Sequence, residues 1–197
     1  MTAHSQKKNK ITPEEYLAFE RSSLDMKHEF FNGEIFAMVG AGRKHNRINV
    51  NLTIELGGKF KADKSTCNLF SNDMRVKVAK NYVYPDIVIY CGDAVFEDDE
   101  FDTLTNPVVV MEILSDSTEV FDRGKKFAYY QTIPTLQEYI LISQNEYRVE
   151  QYTRNGDDWL YRSYKGTGRI LRMESVNCQL PLSEIYWDIV IEPEESM

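Results

Sequence analysis

The chain has 197 residues, 42% hydrophobic and 27% charged, which is enough apolar material for one substantial core and too much for a disordered chain. Its 31 acidic and 23 basic side chains leave a formal net charge of −8, the wrong sign for a protein that coats nucleic acid without sequence preference. Any surface for a polyanion must therefore be local. No apolar run approaches the roughly 18–20 residues of a membrane-spanning helix, and the basic N-terminus lacks the apolar stretch of a secretory signal. Three widely spaced cysteines (Cys67, Cys91, Cys178) exclude a disulfide scaffold or a zinc ribbon and predict reduced thiols in a cytoplasmic protein.

In chain order, residues 1–10 read as a polar arm. Thr12-Pro13-Glu14-Glu15 then opens a short helix, with Thr12 as N-cap and Glu15 completing a capping box. Asn32-Gly33 between two β-prone runs predicts a tight hairpin. Ile48, Leu52, Leu56 and Phe60 recur at four-residue spacing and predict a helix over 44–61, closing at Gly57-Gly58 or shortly after. The alternating stretch 68–78 reads as one strand. The runs 83–91 and 106–115 are apolar on successive residues, as strands buried on both faces are. An acidic, solvated loop is expected between them.

A helix over 118–132, stopped by Pro134, leads to another buried strand at 136–143. A second, aromatic hairpin turns at Asn155-Gly156, and 181–191 reads as a closing helix before an acidic tail at 193–197. With no linker in sight, residues 11–192 are expected to form one α/β domain: a central mixed sheet flanked by helices, with an N-terminal β-hairpin and a C-terminal β extension. Alternate faces of that extension suit core packing, base stacking or, as we expect, a two-fold homodimer.

Two carboxylates stand out because buried strands contain them. Asp86 heads one run and Glu112 interrupts the other. A carboxylate there is costly unless paired or bound to a cation, and two on neighbouring strands repel. A hard ion such as Mg²⁺ resolves both problems. The blander alternative is a turn-closing Asp86 and a Glu112 paired to an arginine. Taking Phe127 and Tyr130 as core-facing leaves Lys126 on the flank nearer Glu112, where it could neutralise the acids and orient a water. Ser115, Ser117 and Thr118 have no nearby histidine to activate them and read as helix caps, and Asp122 as a charge favouring the helix start.

The segments Y-P-D-I-V-I-Y, V-V-V-M-E-I-L-S-D-S-T, D-R-G-K-K-F-x-x-Y and I-P-T-L-Q-E-Y-I-L-I occur in this order. Together they resemble a large bacterial family of restriction-endonuclease-like proteins within the P-D-(D/E)-x-K nuclease superfamily. The resemblance runs from the hairpin H-E-F-F-N-G-E-I to about Ser143. It implies that Asp86 is the motif aspartate and Glu112 its acidic partner. The superfamily lysine usually lies two residues after that acid, where this chain has Leu114; Lys126 matches a lysine displaced to the following helix. Glu34 and His45 match further positions near the pocket. The implied cofactor is Mg²⁺ or Mn²⁺, held by Asp86, Glu112 and the Ile113 backbone carbonyl. The implied activity is metal-dependent cleavage of DNA phosphodiesters. The rival reading is a catalytically silent nucleic-acid-binding or regulatory protein that keeps the fold.

Overall fold

The structure, a computed structural model, describes residues 10–191. The expected arm (except Lys10) and the acidic tail lie outside the described residues. Helix α1 (Pro13–Ser22) starts with the reciprocal bonds of a capping box: Glu15 N–H donates to Thr12 Oγ1 at 3.2 Å and Thr12 N–H to Glu15 Oε2 at 2.7 Å. Strands β1 (His28–Phe31) and β2 (Glu34–Ala37) are joined by Asn32 and Gly33, both at positive φ (52° and 87°), as a type I′ turn requires. Helix α2 (Arg43–Ala62) buries Ile48, Leu52, Leu56 and Phe60 as the spacing predicts, but runs through both glycines before ending.

Six strands make the central sheet: β3 (Cys67–Ser71), β6 (Ile87–Cys91), β8 (Val109–Leu114), β9 (Glu138–Ser143), β10 (Arg148–Asn155) and β11 (Asp158–Lys165), in the order β11-β10-β9-β8-β6-β3. Only β8 and β9 are parallel, so the sheet is mixed. Both faces are covered, which explains the continuous apolar runs. Ile87, Ile89, Met111, Ile113, Ile140 and Ile142 point into a core shared with α2. Val88, Val110, Leu114, Tyr139 and Leu141 point the other way, into a core shared with β4 (Arg75–Val78) and β5 (Asn81–Val83). Glu112 has the parity of Val110 and Leu114 and therefore faces this second core.

Strands β4 and β5 belong to another sheet, ordered β2-β1-β5-β4-β7 with β7 at Thr103–Leu104. Two expected continuous strands are therefore each cut in half. The stretch 68–78 breaks at Asn72, whose φ is 60°, into β3 and β4 of different sheets. The stretch 83–91 breaks at Pro85, which has no N–H to give a ladder, and the chain crosses from β5 to β6. The acidic loop 91–106 is less solvated than expected, because it contributes β7 and the carboxylates that hold Arg21 and Arg75.

Residues 118–132 are not one helix. A short α3 (Glu119–Phe121) opens into a π-helical turn (Asp122–Lys126) and closes as α4 (Phe127–Tyr130). The second hairpin turns one residue later than expected: Asn155 pairs with Asp158, and Gly156 alone takes positive φ, as a type II′ turn needs. Of its aromatics Tyr164 is buried in the core, Tyr152 and Trp159 are half-buried on Phe127, and Tyr161 is exposed. Strands β12 (Ile170–Met173) and β13 (Cys178–Pro181) follow, and the closing helix shrinks to α5 (Leu182–Ile185). The reduced-thiol expectation is corrected too. Cys67 and Cys91 face each other across the β3/β6 register and form a disulfide, a pairing hidden by their 24-residue separation, while Cys178 is free and buried. No described helix is long and apolar enough to cross a membrane.

Candidate active site

The crossing at Tyr84-Pro85-Asp86 delivers Asp86 to the head of β6, beside β8. Its backbone carbonyl is pinned by Asn72 N–H (2.9 Å) and Asn49 Nδ2 (3.1 Å). The Ile113 amide donates to Asp86 Oδ2 at 2.7 Å, and His45 Nε2 lies 3.2 Å from Oδ1. His45 reaches this corner from the first turn of α2. Ile113 thus meets the aspartate through its N–H.

Glu112 is 4% exposed, and its Oε1 accepts from Tyr130 Oη at 2.8 Å and Lys126 Nζ at 3.0 Å. The ammonium, on a residue 5% exposed, also lies 3.1 Å from Glu29 Oε1 and 3.6 Å from Asp122 Oδ1. Lys125, one residue earlier, is exposed.

Two members of the cluster escape the sequence reading. Asp122 is buried against Lys126, and does more than favour a helix start. Glu29 also accepts the Tyr84 amide at 3.0 Å, tying β1 to the segment that carries Asp86. A signal for Glu29 exists: strand alternation puts it on the face of Phe31, two residues on. Glu34 is the opposite case. It pairs with Phe31 at the exposed hairpin tip, outside the cleft, whereas Glu29 pairs with Phe36 and lines it. The Ser115, Ser117 and Thr118 hydroxyls bond one another (3.1 and 3.0 Å) and do not cap α3.

Three carboxylates, Glu112, Glu29 and Asp122, therefore surround one ammonium, and Asp86 lines the same cleft. Burial drives the Glu112 carboxyl well above its ordinary range; Lys126 pulls against this, while Asp122, Asp86 and Glu29 add to it. Burial alone would lower the Lys126 pKa, but Glu112, Glu29 and Asp122 outweigh it and hold the ammonium above its ordinary range. Burial also raises Asp122, against the pull of Lys126. The cleft over this floor has a volume of about 840 Å³.

The excess of negative charge suits a cation. Among the described residues no three His, Cys, Asp or Glu side chains close on one metal-sized point. Asp86 and Glu112 both line the cleft, and carboxylates are the donors a small hard ion takes while keeping several of its waters.

A mixed sheet with this acid–acid–lysine floor defines a restriction-endonuclease-like fold. The same fold is found in a crystal structure from Anabaena variabilis ATCC 29413, described as a putative nuclease belonging to DUF820. That chain matches with a TM-score of 0.75 at 17% identity, covering 89% of this chain and 97% of its own. The model of the Uma2 family, described as "Putative restriction endonuclease", matches residues 13–183, and the chain belongs to this family. Two uncharacterized proteins of Synechocystis sp. are similar over most of their length. One, slr1290, is 35% identical over 180 residues (90% of this chain, 92% of the relative). The other, sll1609, is 39% identical over 163 residues (79% and 88%).

Proposed function

We propose that this chain is a Mg²⁺- or Mn²⁺-dependent endonuclease that hydrolyses DNA phosphodiester bonds at the floor of this cleft. The observation that carries the reading is the meeting of the helix-borne Lys126 with a buried strand acid, its Nζ standing 3.0 Å from Glu112 Oε1, in the cleft that Asp86 also lines. Membership of a nuclease-like family supports the same class. Asp86, Glu112 and the Ile113 carbonyl would hold the ion. Bound there, it supplies a polarised phosphate and a water of lowered pKa.

The remaining work belongs to the chain. Ile113 N–H and Tyr130 Oη each engage one oxygen of an acid and so fix its orientation. His45 positions Asp86 through Oδ1. Lys126 donates toward the attacking water or the charge developing on phosphate, a task for which its raised pKa keeps it protonated.

Asp86→Asn and Glu112→Gln keep side-chain size and remove the charge that would hold an ion. Titration calorimetry should show Mg²⁺ or Mn²⁺ binding by the wild type and its loss in both variants, with cleavage reduced by about 10²–10³-fold or more. Equal ion binding by all three proteins would remove this site. A metal-loaded wild type that binds nucleic acid but cuts no form of it would favour the silent-binder alternative.

A further inference from the structure

We propose that the cleft takes a nucleotide from an unpaired strand, stacking its base on Phe36, and does not take an intact duplex. The inference rests on the nuclease reading only for where the strand runs. The two sides of the cleft mouth differ. One carries the acids and the hydroxyl rim. The other is β2 and the segment after it, where Phe36 (49% exposed), Val39 (79%) and, from before β1, Met26 (48%) present large apolar side chains to water.

Phe36 is propped as well as exposed. Its ring meets the Phe31 ring edge-on, with centroids 6.0 Å apart and planes at 62°. Phe31 is itself held by Phe121 at 4.8 Å and Tyr129 at 5.6 Å. A fixed underside and an open face make a stacking platform, and every nucleobase has a face to lay on it. Bases inside a duplex do not offer theirs.

Charge points the same way. A duplex brings two phosphate backbones and is held chiefly by cations along them. Among the described residues, however, the cleft's own cations are engaged: Lys27 by Asp73, Lys126 by three acids. Arg43 and Lys44 are exposed cations at the start of α2, between the cleft-lining residues Gly42 and His45. They can follow one strand. An apolar platform beside a single basic flank fits an unpaired strand whose base turns inward and whose phosphate lies outward.

The test reads binding without cleavage. Fluorescence anisotropy in Ca²⁺ compares a labelled single-stranded DNA, its RNA counterpart, a strand with abasic sites, and the same sequence as a blunt duplex. The wild type should bind the intact single strand at least about tenfold tighter than the duplex or the abasic strand. Phe36→Ala should weaken that binding by roughly 5- to 150-fold, and Phe36→Trp should retain it, which separates a lost platform from a lost fold. The tighter of the DNA and RNA arms identifies the sugar. Duplex or abasic binding equal to that of the single strand, or a folded Phe36→Ala protein that binds like wild type, overturns the proposal. A protein that binds single strands through Phe36 but never cuts sustains it and removes the nuclease reading. One that cuts duplex regardless of Phe36 does the reverse.

Discussion

Arg75 is almost fully buried, and every part of its guanidinium meets a neighbour. Nε donates to Thr103 Oγ1 at 2.8 Å, Nη1 to Tyr84 Oη at 3.1 Å, and Nη2 lies 2.6 Å from Asp102 Oδ2. Asp102 also accepts from Arg21. The Arg21 bond, more than offsetting partial burial, and Arg75 behind it hold the Asp102 carboxyl well below the usual carboxylate range. A depressed folded pKa gives stability that is present above the unfolded value, near pH 4, and is lost as pH falls toward the folded one. Asp102→Asn should therefore cost about 1.5–3 kcal/mol at pH 7, with the gap to wild type narrowing steadily below about pH 4. Chemical denaturation across that range checks it; a gap independent of pH would show that the carboxylate charge is not the cause. Tyr84 links this cluster to the candidate site, since it leads into Pro85-Asp86. None of it is legible in the sequence, where 91–106 reads as a solvated loop and the partners lie 81 and 28 residues away.

At the scale of elements, the π-helical turn at Asp122–Lys126 decides which lysine enters the cluster. Asp122 and Lys126 both turn inward, and Lys125 faces water. Lys126→Met keeps the aliphatic stem and removes the charge, so ion binding should persist while turnover falls by roughly 10²–10³-fold. Lys125→Ala should be nearly silent, because its side chain is exposed and, among the described residues, no ion pair joins it to the cluster. Single-turnover cleavage by the two variants checks this, and the reverse pattern would reassign the lysine. The lysine's flank was legible from the spacing of Phe127 and Tyr130; the π turn was not, because nothing in D-R-G-K-K marks it locally. The capping box and the first hairpin were legible in full, being settled within four residues. Strand ends were not, because at Asn72 and Pro85 the chain changes sheets, and neighbours far along the chain determine where pairing stops.

At the scale of the whole molecule, the central sheet ends at β11. Its outer edge has no partner strand among the described residues, and Leu160 and Tyr161 on it are more than half exposed. Open edges favour pairing with another copy. A two-fold homodimer through this β extension is the expected state, and sedimentation showing only a 23.0 kDa monomer at high micromolar concentration would count against it.

Local periodicity and turn chemistry, both properties of the sequence by itself, determined the start of α1, the buried face of α2, the Asn32-Gly33 turn and the strands buried on both faces. They also marked the two acids as anomalous within those strands. Tertiary structure decided the company those acids keep. It brought in Glu29 and Asp122, left Glu34 at a hairpin tip, and set Cys67 opposite Cys91. The reason is geometric. A residue's face depends on its neighbours in the chain, but which faces meet depends on strand order, register and the crossing at Pro85, and these are settled only when both cores pack at once.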